Sequence, residues 1–355
     1  MWFIKLFIII TLNISCIAYN ILLVSPLPSG SHGILGDAFV RIFTNAGHKV
    51  TFISSMTKLT SSSNVTVINV ASNIKTFPDD LLNIKAIMDQ KSDMRDDNLF
   101  FPVMDNLTLV TMQMKEVQEL LNDETQSFDV VIAEWMYNEV YAGWAYKDTE
   151  DIFNEIYTPL FSKRGRPVPK YHEVRYNGSL TLGNSHAILG QATRLPQNYK
   201  SIGGFHIEEN VKPLPEKLKQ IMDNAKHGVI YFSMGSNLRS TDWPQKIKKE
   251  LLKLFGELKQ TVIWKFEETL TDLPSNVHIV KWAPQQSILA HPKCVLFITH
   301  CGLLSTTEAI YFGVPIIGIP VFVDQFVNAE RAVKKGFGKK VSLSYSLVDE
   351  LKVAL

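Results

Sequence analysis

Short apolar runs of strand length recur along this chain, set apart by turns rich in glycine, serine and proline. The first, Asn20–Ser25, runs straight into P-L-P-S-G-S-H-G-I-L-G. A helix is expected over 37–46, ended by Gly47, with second and third strands over 48–54 and 65–70. Residues 105–122 read as a helix with Met112, Val117 and Leu121 on its buried face, and 128–133 as a strand ending at Glu134. A strand is expected over 179–186, followed by a glycine-bearing connector over 199–209. Beyond it come strands over 229–233, 262–265 and 277–280, an amphipathic helix over 246–255 and a short helix over 285–289. The apolar run 295–299 then leads through His300-Cys301-Gly302 into a helix over 305–312, a stop at Gly313 and a second run over 314–319. Strand, glycine turn, helix, strand is a βαβ unit, which crosses over right-handed into a parallel sheet. The fold class is therefore α/β.

Residues 282–325 carry the chemistry of that unit. The turn at Gly302 presents free backbone N–H groups and the positive end of a helix, a place for an anion. Ser305 can add a hydroxyl there and His300 an imidazole N–H. Glu308 lies one turn beyond Ser305 on the same face, so its carboxylate can accept from ribose hydroxyls. Trp282, next to Ala283, offers a flat face for a base, and Gln285 an amide. Asp324 and Gln325 follow the second run, at the carboxyl edge where open α/β sheets bind ligands. Phosphate, ribose, base and a polyhydroxylated group are all provided for.

The stretch W-A-P-Q-Q-S-I-L-A-H-P, then F-I-T-H-C-G-L-L-S-T-T-E, G-V-P and D-Q resembles the donor-binding signature of the UDP-glycosyltransferases, in particular the insect branch of the animal UDP-glucuronosyl/glucosyltransferases. The resemblance implies two Rossmann-like domains facing across a cleft, the GT-B arrangement, with an acceptor domain over 19–205 and a UDP-sugar domain over 206–355. It implies inverting transfer of a hexose from UDP-glucose or UDP-glucuronate, without a cofactor, to a hydroxyl of a small lipophilic acceptor, as in detoxification. His32 matches the catalytic histidine of the family. Glu134 takes the place of the acid, usually aspartate, that orients it. Ser236, Trp282, Ala283, Gln285, His300, Gly302, Ser305, Glu308, Asp324 and Gln325 match the donor site. Cys301 stands where animal members usually carry glycine and plant members cysteine. The resemblance also implies association with itself or with relatives. After Gly143 the chain runs almost at once to Asp148, a segment the family places well downstream, so the first domain is expected to be shortened near 143–148. The relatives also continue beyond the position of Leu355 into a crossover helix and a membrane anchor, so this form is expected to be luminal or a fragment. A rival expectation follows: a catalytically inactive UDP-sugar-binding protein that regulates a full-length relative.

Composition narrows the field in a few places. At 355 residues the chain has room for two domains, and a net charge of +1 gives no electrostatic case for a nucleic-acid partner. The start M-W-F-I-K-L-F-I-I-I-T-L-N-I-S-C-I-A reads as a secretory signal over 1–18, directing the chain to the lumen of the endoplasmic reticulum. Asn64, Asn106 and Asn177 then become glycosylation acceptors in N-x-S/T tripeptides. Cys294 and Cys301 bracket one strand, roughly 20 Å apart at strand rise, which is too far for a disulfide. The histidines show no HExxH or HxH spacing and no D-x-D occurs, so no metal site is expected. Glycines 30, 33 and 36 follow G-x-x-G-x-x-G, not the dinucleotide fingerprint, which disfavours a nicotinamide site.

Overall fold

The computed structural model describes residues 18–355 apart from 57–59, 61, 78–82, 92–96, 135–147, 176, 187–188 and 191–193. The expected signal, except its last residue, and the stretch 143–147 lie outside the described residues.

In the first half, β1 (Asn20–Ser25) leads to α1 (Gly30–Asn45), β2 (Lys49–Ser54) and β3 (Val65–Asn69). Helices α2 (Ile84–Met88), α3 (Asp97–Gln113) and α4 (Lys115–Asn122) precede β4 (Val130–Ala133). The four strands form one parallel sheet in the order β3-β2-β1-β4. Helix α1 starts well before the expected position, because its glycines serve packing and not a loop. A Cβ on Gly36 would run into the buried Phe52 ring of β2, and one on Gly33 would crowd Met56 just beyond it, so bare backbone lets the helix settle there. The single helix expected over 105–122 is two, α3 and α4, broken where Met114 turns extended at ψ 138°. Helices α5 (Asp148–Lys163) and α6 (Tyr171–Arg175) follow, then β5 (Thr181–Gly183) and β6 (Tyr199–Ser201), which pair in parallel. The strand expected over 179–186 thus shrinks to β5.

The second half opens with α7 (Glu216–Asn224), β7 (Val229–Ser233), α8 (Gln245–Gly256), β8 (Thr261–Lys265) and β9 (Val277–Val280). It continues with α9 (Gln285–Leu289), β10 (Cys294–Thr299), α10 (Leu303–Tyr311), β11 (Ile316–Gly318), α11 (Gln325–Lys334), β12 (Gly338–Lys340) and α12 (Leu347–Ala354). Its six parallel strands run β12-β11-β10-β7-β8-β9, which in chain order is the doubly wound 3-2-1-4-5-6 arrangement. Neighbouring residues serve opposite faces. Phe232, Trp264 and Ile298 enter one core, Tyr231, Ile263 and Phe297 the other. That is why these strands read as unbroken apolar runs. Phe232 stacks on Trp264 at 5.2 Å and meets Phe255 edge-on at 5.6 Å.

The halves are tied together by more than the chain. Ile84 and Met88 of α2 are buried in the second half's core, and the Tyr345 hydroxyl donates to Asp89 at 2.7 Å. Among the described residues no helix is long and apolar enough to cross a membrane.

Candidate active site

Both sheets change winding direction at a pair of adjacent strands, and the polar residues of interest stand at those two points. In the first half the strands are β1 and β4, with Val24 opposite Ala133. Glu134 leaves the end of β4. His32 lies in the first turn of α1, which replaces the expected loop as the element that aims it. His32 Nδ1 contacts Glu134 Oε1, and the other carboxylate oxygen accepts from the Ser25 hydroxyl at 2.6 Å. With Nδ1–H donating to the carboxylate, Nε2 is left as the acceptor and can take a proton. Both side chains are about one-fifth exposed, at 20% and 19%.

In the second half β7 and β10 meet with Ser233 opposite Thr299, and the turns beyond them carry Gly235-Ser236 and His300-Cys301-Gly302. The His300 ring is held between two glycines: a Cβ on Gly235 or on Gly302 would lie 2.6 Å from it. Burial, helped by the charge of Lys265, pushes the His300 pKa down to about 4, so the ring is neutral at pH 7, with one nitrogen able to donate an N–H. Lys265 was not legible as a site residue in the sequence, where it is only the last residue of a strand. Its ammonium donates to the Gly235 carbonyl at 2.9 Å and pairs with Glu267 at 2.7 Å, bracing the turn. Cys301 takes a left-handed φ of 62°, a conformation that favours glycine, and its buried thiol is pushed up to about 12. Gly302 caps α10.

Ser305 and Glu308 of α10 are both buried. The Gln285 amide donates to the Ser305 hydroxyl at 3.0 Å and to Glu308 Oε2 at 2.7 Å, while Gln286 donates to Glu308 Oε1 at 3.1 Å. Glu308 is thus already ringed by donors, a network the sequence did not announce. Trp282 is 72% exposed, its face open to a planar ligand, and Ala283 beside it is buried. Asp324 accepts from Asn328 at 2.7 Å; burial raises its pKa, and Asn328 and the charge of His32 pull the other way. The general base candidate therefore lies within electrostatic reach of the carboxylate expected to hold sugar. The Gln325 amide oxygen accepts from the Val321 and Phe322 N–H groups at 2.9 and 3.2 Å, which leaves its NH2 for a ligand. Ser236 abuts the start of α1, where a Cβ on Gly30 would come within 2.6 Å of its hydroxyl. Next to it Asn237 donates to Ser29 at 3.0 Å.

Two doubly wound domains with their switch points turned to a common cleft define a GT-B architecture. An Arabidopsis thaliana glycosyltransferase, UGT89C1, solved with UDP-L-rhamnose, superimposes with a TM-score of 0.62 at 14% identity, over 95% of this chain and 88% of that one. The sequence model described as "UDP-glucoronosyl and UDP-glucosyl transferase" matches residues 56–355, and the chain belongs to that family. UDP-glucosyltransferase 2 of Dactylopius coccus is 40% identical over 202 residues, 57% of this chain and 38% of that relative's length. An ecdysteroid UDP-glucosyltransferase of Lymantria dispar multicapsid nuclear polyhedrosis virus is 25% identical over an alignment of 392 positions, gaps included, that covers 90% of this chain and 76% of that relative. The chain thus spans well under half the length of the first of these relatives.

Proposed function

We propose that the chain transfers a hexose from a UDP-sugar to a hydroxyl of a small lipophilic acceptor, inverting the anomeric carbon, in the lumen of the endoplasmic reticulum. The observation that carries this reading is the His32–Glu134 pair, set at one switch point within electrostatic reach of Asp324 at the other. His32 Nε2 takes the acceptor hydroxyl proton as the oxygen attacks the anomeric carbon. The bond from that carbon to the diphosphate oxygen breaks, and UDP leaves with the electron pair. Glu134 stabilises the imidazolium that forms. Neutral His300, the α10 N-terminus, Ser236 and Ser305 donate to the diphosphate as it gains charge. Trp282 stacks on uracil, Gln285 and Glu308 hold the nucleoside, and Asp324 and Gln325 hold sugar hydroxyls. The donor is itself the activated reagent, so the reading calls for no resident cofactor. A carboxylate beside the sugar, and relatives named as glucosyltransferases, favour glucose over glucuronate. The relative named for ecdysteroids supports a lipophilic hydroxyl acceptor.

A second reading, a non-catalytic UDP-sugar-binding partner of a longer relative, draws on one observation. The donor half has a complete two-sided core, whereas β4 of the first half carries Val130 and Val131 at 40% and 60% exposure. Turnover assays with UDP-glucose and UDP-glucuronate against a panel of phenols and sterols, run beside UDP calorimetry, decide the matter. Transfer from UDP-glucose is expected. Tight UDP binding with no transfer to any acceptor would establish the second reading.

A further inference from the structure

The connector between the halves carries a buried imidazole for which the proposed chemistry has no use. The His206 side chain is fully buried, and its Nε2 lies 3.2 Å from Glu308 Oε1, close enough for an ion pair but out of line for a hydrogen bond. Its Nδ1 meets no hydrogen-bond partner among the described residues. Burying a polar ring in that state is costly, and such a group calls for an explanation. The connector also reaches the other partner of the same carboxylate oxygen. Gln286, which donates to Glu308 Oε1, accepts in turn from the Glu208 N–H at 3.0 Å. On its far side the connector grips the helix that bears His32. The Phe205 and Phe39 rings approach to 4.5 Å, and the Arg41 guanidinium donates to the His206 carbonyl at 3.4 Å.

These contacts form one chain: α1, connector, Glu308. A carboxylate offers about four acceptor positions. Gln285 takes one on Oε2, and Gln286 approaches Oε1 together with His206. Which lone pairs stay open to a ligand depends on how those neighbours hold the group. We infer that His206 is a positioning residue that orients the Glu308 carboxylate toward the ribose hydroxyls of the donor and ties that orientation to the helix carrying the general base. The inference rests on the reading of Glu308 as the ribose acceptor.

Calorimetry on the full chain separates the two ideas by using UDP and 2′,3′-dideoxy-UDP as probes. For the unaltered protein UDP should bind the tighter. Glu308→Gln should erase most of that preference. His206→Phe should weaken UDP by about tenfold, the scale of a lost contact to a charged group, and leave the dideoxy nucleotide unaffected. His206→Gln, which restores an N–H at the Nε2 position, should recover most of the loss. If Glu308→Gln leaves the preference intact, the ribose assignment fails and the inference with it. If Glu308→Gln erases the preference while His206→Phe weakens both probes equally, or neither, the inference alone is overturned. A measurement on the unaltered protein guards against a variant that does not fold. The imidazole 15N signals of His206 should move on adding UDP and stay put with the dideoxy probe; the same shift with both would refute the assignment.

Discussion

The two halves wind their strands in the same order, yet they bury them very differently. In the second sheet every residue of β7 is buried, and aromatic rings close over it on both faces. In the first sheet β3 and β4 have no buried residue, and β1 buries only every other one. A sheet covered on both faces holds itself together; a sheet with open edge strands depends on what it leans against. Here the first half leans on the second through α2, whose Ile84 and Met88 complete the second half's core. The second half thus supplies the stability, and in the proposed mechanism the first supplies the proton acceptor.

That contrast can be broken most directly in the core. Phe232→Ala should cost about 3–5 kcal/mol in urea unfolding, the range for emptying a buried aromatic site. Val131→Thr on the exposed strand should stay within about 0.5 kcal/mol. Equal losses would mean that Val131 is packed as closely as Phe232 and that the contrast in burial fails.

The next effect is in acid. The folded state keeps His300 neutral with a pKa of about 4, while the unfolded chain takes up a proton near the ordinary 6.5. The contribution is therefore full above pH 6.5 and is lost as pH falls toward 4, in total about 3 kcal/mol. His300→Gln should flatten this part of the stability–pH curve; an unchanged slope would place the acid sensitivity elsewhere.

Chemistry should separate from binding across the cleft. His32→Ala should lower transfer by about a hundredfold or more and leave UDP affinity as it was. Glu134→Gln should cost less, because the ring keeps a hydrogen-bonding partner and loses only the charge that stabilises the imidazolium as it forms. A matching fall in UDP affinity for His32→Ala would mean that the halves do not divide the labour. The last test is at the surface: Trp282→Ala should weaken UDP by about 1–3 kcal/mol, the scale of base–aromatic stacking, with no change in melting temperature.

Much of this was legible in the residues. A strand buried on both faces leaves an unbroken apolar run, so the bounds of β7 can be read directly, and β9 and α9 also fall where expected. Ser305 and Glu308 sit one helical turn apart, which local periodicity places on one face. What the sequence could not show is what depends on remote partners. Glycines 33 and 36 look like a loop until Phe52 and Met56 are seen to need the space their missing side chains leave. Lys265 is an ordinary strand end until it braces the Gly235 turn beside His300. Gln286 and His206 reach Glu308 only because α9 and the connector, both remote from α10 in sequence, fold onto it. Sequence spacing reports contacts within an element; contacts between elements, and the burial that shifts a histidine's proton affinity, exist only once the sheets are assembled.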